Sequence, residues 1–319
     1  MKLPGRFKKI IDSIPQLQMF RADEQTGIFA RQLVTETMAE IFRTEFPEAR
    51  WANGELIPFD NSVSDGALEY SFNELTSVGR AKIVSDRATD IPEVETKGEQ
   101  TTRAVKTVAC KFSYSTQELR SAQLQGSFGI AEEKALSARE GHDFGLNDLV
   151  REGAPGQGLY GATNHPGIIV GTAITGTWAT ATAAQIVADF SAAANAIINE
   201  SNGVETPNQA IFPVASYTRI STLKNSDSSD ITVLQYLQQA FPWITNWTWD
   251  ANMSTVGAGG TPAIVINKKD PTRMRVVQPM TLVPLPPQEK GLVFEVILES
   301  RFGGVMAPKP RATYRLEGI

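Results

Sequence analysis

A long charged segment lies between two stretches of the chain that are patterned as β-strands. Apolar and polar residues alternate at 68–72 and 105–112, with a partial alternation at 81–84. The segment between them, 85–102, carries the charged residues Asp86, Arg87, Asp90, Glu93, Glu95, Lys97 and Glu99. A charged connection of this length is unusual inside a compact domain. Because patterned strands flank it, the segment predicts a hairpin arm that reaches away from the body, with disorder as the alternative.

Composition narrows the class of protein. The chain has 319 residues, of which 41% are hydrophobic, so it is large enough to bury a substantial core, and its length favours two domains. The formal net charge of −5 argues against a protein whose task is to grip DNA, since such proteins carry a basic face. Cys110 is the only cysteine, which excludes an intramolecular disulfide framework and a cysteine-based zinc site. We expect no signal peptide and no membrane span, because no apolar run is long enough.

Helix signals occur at four places along the chain. Apolar spacing predicts a helix over 28–46. Ser115 and Glu118 form a capping-box pattern, in which a hydroxyl and a carboxylate satisfy free backbone N–H groups, and it opens a helix-rich stretch that reaches residue 151. Thr182 and Gln185 form a second capping box. Asp230 is predicted to cap a further helix.

Strand signals dominate the C-terminal half. They are found at 210–212, 243–249, 263–267, 274–283, 291–301 and 313–316. Helices and strands alternate between about 172 and 270, which predicts a second, mixed domain there. The fold class predicted for the whole chain is therefore α+β.

Two features invite a catalytic interpretation. Gly156, Gly158 and Gly161 match the dinucleotide-binding glycine pattern, but that pattern requires a preceding strand and a following helix. Here it follows a predicted helix and precedes a turn, which favours a glycine-rich helix stop. His165 is able to exchange a proton near neutral pH, alone or paired with Cys110, yet no nucleophile motif accompanies it. A histidine bonded to its own loop is the favoured interpretation, and an enzyme using these residues is the alternative.

Two further clusters are candidates for ligand binding. The carboxylates between Asp86 and Glu99 lack the spacing and central glycine of a calcium loop, so a solvated or intersubunit charged surface is favoured over a metal site. Trp243, Trp247 and Trp249 have the ring faces needed to stack bases, but no basic residues are interleaved with them, so packing is favoured. The sequence predicts no cofactor and no catalytic residue.

The order of several short segments resembles that of a known family. The N-terminal ones are Phe29-Ala30-Arg31-Gln32-Leu33, Phe46-Pro47-Glu48, Leu56-Ile57-Pro58, Gly79-Arg80-Ala81-Lys82-Ile83 and Asp90-Ile91-Pro92-Glu93-Val94. The later ones are Phe112-Ser113-Tyr114-Ser115-Thr116-Gln117-Glu118-Leu119-Arg120, Gly158-Leu159-Tyr160-Gly161, Asn164-His165-Pro166, Pro284-Leu285-Pro286-Pro287-Gln288 and Arg301-Phe302-Gly303-Gly304-Val305. Together they resemble the major capsid proteins of tailed double-stranded-DNA bacteriophages, whose fold is shared with encapsulin shells.

The resemblance implies a division of the chain into four parts. These are an N-terminal arm at 1–60, an extended β-hairpin loop at 61–112, a peripheral domain with a long spine helix at 113–171 and 271–319, and an axial domain at 172–270. The assembly contacts expected on the loop are Arg87, Asp90, Glu93, Glu95, Lys97 and Glu99. Some family members cross-link neighbouring loops through a lysine and an asparagine, and no residue here is matched to those positions.

The resemblance also implies partners and a location. The chain would bind itself in hexamers and pentamers of an icosahedral head, assembled in the host cytoplasm and retained in the virion. It would enclose double-stranded DNA without sequence specificity and contact no membrane, with portal, scaffolding or decoration proteins as further partners. An encapsulin-like compartment, which shares the fold but encloses cargo proteins, is the alternative within the same class.

Overall fold

The computed structural model describes residues 48–83, 91, 93–118, 120, 130–174, 176–226 and 230–319. The helix predicted over 28–46 lies outside these residues, as do Arg87 and Asp90. The described part is a mixed α+β fold, as predicted from the sequence. None of its helices combines the length and the apolar character needed to cross a membrane.

The described elements are numbered here in chain order. The strands are β1 (Phe59–Asp60), β2 (Glu69–Val78), β3 (Glu95–Ala104), β4 (Lys106–Ser115), β5 (Gly153–Ala154), β6 (Leu159–Tyr160), β7 (Ile169–Thr172), β8 (Gln209–Pro213), β9 (Asn246–Asp250), β10 (Ala263–Asn267), β11 (Arg275–Val277), β12 (Met280–Pro284), β13 (Gln288–Lys290), β14 (Val293–Phe302), β15 (Val305–Met306) and β16 (Thr313–Glu317). The helices are α1 (Ile130–Arg151), α2 (Ala183–Glu200), α3 (Val214–Thr222) and α4 (Val233–Ala240).

The strands form sheets of very different character. β2 and β3 pair only with each other, as a two-stranded hairpin. β4 continues directly from β3 after Val105 and pairs with β14 over ten residue pairs, in a sheet completed by β12 and β13. A five-stranded sheet has the order β7-β16-β10-β8-β9, and β1, β11 and β15 form a smaller one. The second strand of the hairpin, β3, is therefore almost continuous with β4, which belongs to the sheet that contains β14.

The long helix α1 packs on one face of the β4–β14 ladder. The Cys110 thiol on β4 donates to the carbonyl of Ala138 (3.3 Å), and Nε2 of the buried His142 lies 2.7 Å from Oγ of the buried Ser300 on β14. α1 ends just before Gly153, whose φ of +70° is the left-handed conformation that glycine adopts readily. The helix is thus fixed both to the sheet and at its C-terminal end.

Both predicted capping boxes are confirmed. The backbone N–H of Glu118 donates to Ser115 Oγ (3.1 Å), and that of Ser115 donates to the Glu118 carboxylate (2.9 Å). The N–H of Thr182 likewise donates to Gln185 Oε1 (2.8 Å) at the start of α2. Short-range signals of this kind are reliable because all of their partners lie within one helical turn.

The five-stranded sheet and α2 enclose the larger hydrophobic core. The buried face of α2 carries Ile186, Phe190, Ala193, Ala194 and Ile197, as its apolar spacing predicts. It packs on buried residues from one face of the sheet, among them Phe212 on β8 and Ile264 and Ile266 on β10. Phe190, Phe212 and Trp247 stack with ring centroids 5.2–6.0 Å apart.

Three local predictions are wrong. Residues 81–83 are not a strand. Thr232, not Asp230, caps α4, because its hydroxyl accepts from the N–H of Gln235 (3.3 Å) while Asp230 pairs with Lys224 (3.1 Å). The strand predicted over 274–283 is two strands in different sheets, β11 and β12, separated at Pro279, which has no N–H to give to a ladder.

Candidate functional site

The β2–β3 hairpin is a two-stranded element that pairs with no other described strand. Its ten pairs run from Glu69–Ala104 to Val78–Glu95, which at about 3.4 Å per residue gives a hairpin roughly 30 Å long. All of residues 95–100 are exposed. An isolated two-stranded hairpin is marginally stable in water. Its distal half therefore needs a covering surface that the described part of the same chain does not supply.

The base of the hairpin is firmly anchored. Tyr70 is buried with Val105, Val277 and Met306, and its hydroxyl donates to the carbonyl of Gly303 (3.2 Å). Burial raises the pKa of Tyr70 to about 12, so the hydroxyl remains a donor at every pH at which the protein is handled. These contacts fix the direction in which the hairpin leaves the body.

Apolar side chains are exposed along the distal half of the hairpin and beside it. The exposed fractions are 75% for Leu75, 62% for Val94 and 70% for Ile91, and Ile83 is fully exposed. Isolated exposed apolar residues are common, but several on one projecting element are typical of an interaction surface. This surface is called the distal hairpin below, defined as residues 73–83, 91 and 93–100.

One face of the distal hairpin is acidic. Side chains alternate between faces, so Glu74, Glu95, Lys97 and Glu99 lie on the same face, and Glu74 is directly opposite Glu99. The pKa of Glu74 is raised, first by burial and then by the negative charge of Glu99. Like charges directly opposite each other destabilise a strand pair. Among the ion pairs of the described residues, none involves these four side chains.

Four of the six predicted contact residues lie within the described chain, and all four are on the distal hairpin. Glu93, Glu95, Lys97 and Glu99 are all exposed. Their role in assembly remains a prediction. The described residues contain no group of three or more His, Cys, Asp or Glu side chains arranged to bind a metal ion.

The glycine-rich loop has the structure of a helix stop followed by a tight hairpin. β5 and β6 pair across a 3₁₀ turn at Pro155–Gln157, and Gly158 has a φ of +75°. The loop follows α1 and leads into a turn, so it lacks the strand-to-helix junction that would present N–H groups to a pyrophosphate.

His165 is bonded to its own loop, as predicted. Its Nδ1 lies 2.8 Å from the carbonyl of Pro166, and its ring meets Tyr160 edge-on at 5.8 Å. The guanidinium of Arg103, from the hairpin base, covers the same Tyr160 ring at 4.8 Å. Burial lowers the pKa of His165, the Pro166 carbonyl opposes this, and the positive charge of Arg103 lowers it further. Cys110 bonds elsewhere, to Ala138, so the imagined pair does not form.

We expect this histidine to make the subunit less stable in acid. Its pKa is lower in the fold than its unfolded value of about 6.5, so the unfolded chain binds the extra proton and stability falls as the pH drops below about 6.5. The expected result is that His165→Gln is less stable than the parent at pH 7.5 and that the gap narrows at pH 5. Urea unfolding of dissociated subunits at both pH values measures this. A gap that is the same at the two values would contradict it.

Of the three tryptophans considered in the sequence, Trp247 packs against the core, whereas Trp243 and Trp249 are exposed. Trp247 stacks inside the core, which confirms the packing interpretation for this residue. Trp249 is 46% exposed, and the Arg50 guanidinium lies 5.8 Å from its ring. Arg50 also donates to the Trp249 carbonyl, so a charged side chain covers the open edge of β9.

A cationic cluster surrounds a buried carboxylate in the body of the protein. Glu205 is 3% exposed, and its carboxylate lies 2.8 Å from Arg273 Nε, 3.2 Å from Lys268 Nζ and 3.9 Å from Lys309 Nζ. Burial raises the pKa of Glu205, but hydrogen bonds from Arg273 and Lys268 outweigh it and leave the pKa below its ordinary value. No local pattern in the sequence indicates this cluster, because its members are up to 104 residues apart.

Comparisons with known proteins define the class. The capsid of Myoviridae phage XM1 aligns with a TM-score of 0.79 and 19% identity, over 91% of this chain and 98% of that one. A structure from Mycobacterium phage Bobi aligns with a TM-score of 0.62 and 14% identity, over 93% of this chain and 99% of that one. A virus-like particle from Pyrococcus furiosus aligns at 0.53 and 16%, over 84% and 95%. At these identities the likeness shows a shared fold, which is that of phage capsid subunits. No curated protein matches the chain.

The sequence family agrees with the fold. The profile described as "Major capsid protein" matches residues 79–319, which is most of the chain. The chain therefore belongs to the major capsid protein family. It is a structural protein of the virion, with the fold of tailed-phage capsid subunits, and its family is not one of enzymes.

Proposed function

We propose that the chain builds an icosahedral phage head from hexamers and pentamers, with the distal hairpin of each copy lying on a neighbouring copy. The observation that carries this proposal is the exposure of a roughly 30 Å hairpin whose apolar and acidic residues have no cover in the described chain. A projecting element of this kind lets each subunit place its own hairpin on one neighbour and receive the hairpin of another. Such head-to-tail contacts close into rings when the rotation between copies allows it.

The proposed domains of the chain are the four parts expected from the sequence. Residues 1–60 form the N-terminal arm and 61–112 the extended loop, within which the β2–β3 hairpin lies. Residues 113–171 and 271–319 form the peripheral domain, with α1 as its spine helix. Residues 172–270 form the axial domain, and α2 together with the neighbouring strands β8, β9 and β10 of the five-stranded sheet supports this assignment.

The energetics suit a shell better than a stable dimer. Each contact needs only modest strength, since a subunit held by one neighbour meets the next at high effective concentration. We further propose that the head is assembled in the host cytoplasm and encloses double-stranded DNA without sequence specificity. The acidic net charge supports this, because a wall that bound DNA tightly would hinder packing. Portal, scaffolding or decoration proteins complete the proposed set of partners.

Electron microscopy of the purified chain tests the proposal. We expect closed particles of uniform diameter from the expressed protein, with nuclease-protected DNA in particles from infected cells. The likeness to the Pyrococcus furiosus virus-like particle favours one other candidate, a compartment that encloses protein cargo. Particles that co-purify with a stoichiometric protein and no DNA would establish that alternative. A chain that stays monomeric at every salt concentration and pH would refute both.

A further inference from the structure

The Glu205 cluster carries more positive charge than its own carboxylate requires. Three cations, Lys268, Arg273 and Lys309, surround one buried acid. Arg273 and Lys268 donate hydrogen bonds to it, whereas Lys309 is held at 3.9 Å and its side chain is 53% exposed. Arg311, two residues further, is 68% exposed and pairs with the half-exposed Glu200. The outer cations of this cluster therefore face solvent with their charge only partly compensated.

The distal hairpin presents the opposite arrangement. On its acidic face three glutamates, Glu74, Glu95 and Glu99, surround one lysine, Lys97. The repulsion between Glu74 and Glu99 persists in the free subunit, because no described cation of the same chain pairs with them. A cation placed between these two carboxylates would remove the repulsion and gain two favourable contacts.

We propose that the acidic face of the distal hairpin docks on the Glu205 cluster of a second copy, with Lys309 and Arg311 of that copy pairing with Glu99 and Glu74. This inference rests on the proposed function, and it names the surface that receives the hairpin. The two surfaces have net charges of opposite sign. The hairpin face has three acids and one base, whereas the receiving surface has four bases, Lys268, Arg273, Lys309 and Arg311, against the three acids Glu205, Asp270 and Glu200. Complementary potentials of this kind steer association and fix its register.

The contact also accounts for the excess of cations. Lys268 and Arg273 both donate to Oε2 of Glu205, whereas Lys309 lies 3.9 Å from Oε1, outside hydrogen-bond distance, and its half-exposed ammonium can therefore also contact an incoming carboxylate. Because both partners lie at the surface, the attraction is screened by salt, and assembly weakens as the ionic strength rises.

A reciprocal charge swap tests the docking. Glu99→Lys and Lys309→Glu each place like charges in contact, and each is expected to raise the subunit concentration required for particle formation about tenfold. The double variant restores an attractive pair with its polarity reversed and should assemble near the parental concentration. Light scattering and electron microscopy measure the threshold. The matched controls are Thr96→Lys, on the opposite hairpin face, and Lys224→Glu, whose exposure of 61% resembles that of Lys309.

The outcomes separate the docking from the general function. A double variant no better than the single ones overturns the docking, provided that unfolding curves show all of the subunits folded. Normal assembly of Lys309→Glu with reduced DNA protection also overturns it and assigns the cluster to packaged nucleic acid. A parent chain that forms no particles refutes the proposed function itself.

Discussion

Replacing residues 73–100 by Asn-Gly is expected to leave a folded subunit that forms no closed particles. The bond from the Val105 N–H to the Leu68 carbonyl sets the alternation of the ladder, so Phe72 and Thr101 are a hydrogen-bonded pair. A two-residue Asn-Gly turn joins such a pair without strain. The anchor at Tyr70 and the stack of Arg103 on Tyr160 both survive. The unfolding midpoint of the subunit should therefore change by only about 2 °C.

Microscopy and size-exclusion chromatography give the readout, and mixing gives the control. The shortened subunit can still receive the hairpin of an intact neighbour but has none to offer. Added to intact chains, it should lower the particle yield in proportion to its fraction, by ending growing rings. Normal particles from the shortened chain alone would show that the hairpin is dispensable, and the proposal for its role would be lost.

Phe212→Ala is expected to cost about 3–5 kcal/mol of the free energy of unfolding. Phe212 is fully buried at the centre of an aromatic group, with ring centroids 5.9 Å from Phe190 and 6.0 Å from Trp247. Truncation removes these contacts and leaves a cavity that the rigid sheet and α2 cannot fill. Because this core is shared by β8, β10, β16 and α2, the loss should also reduce the yield of particles.

Urea unfolding monitored by tryptophan fluorescence measures the loss, and Trp243→Ala provides the comparison. Trp243 is 40% exposed and meets Phe241 edge-on, so its removal should cost about 1 kcal/mol or less. Equal losses for the two variants would mean that the aromatic group does not act as the centre of this core.

Elements with a complete local signal were predictable from the sequence. β10 was predicted with its observed bounds, and the capping boxes at Ser115 and Thr182 lie where the pattern placed them. In contrast, α3 gave no helix signal because its residues, rich in Val, Ser and Thr, have weak helix propensity and depend on packing through Ile220. The hairpin arm was predictable from its flanking strands, and, of the described residues of the charged segment, 95–102 are strand.

At the candidate site, contacts between residues that are far apart in the sequence could not be predicted. Arg103 and Tyr160 meet through the fold alone, and so do Glu205, Lys268 and Lys309. No periodicity in the sequence indicates such contacts, because the local sequence around each of these residues is typical of an ordinary surface position. The charge run at 93–99 was visible in the sequence, but the opposition of Glu74 and Glu99 follows only from the strand register.

The direct passage from β3 into β4 has a mechanical consequence. Val105 is the single residue between the two strands, and it is buried at the point where the chain enters the body. A pull on the hairpin tip is therefore transmitted along one extended backbone into the β4–β14 ladder. That ladder is loaded in shear, so its ten residue pairs resist together instead of opening one at a time. Within the described residues α1 is bonded to both strands of this ladder, through Cys110 and Ser300, so we expect it to share the load on the arm.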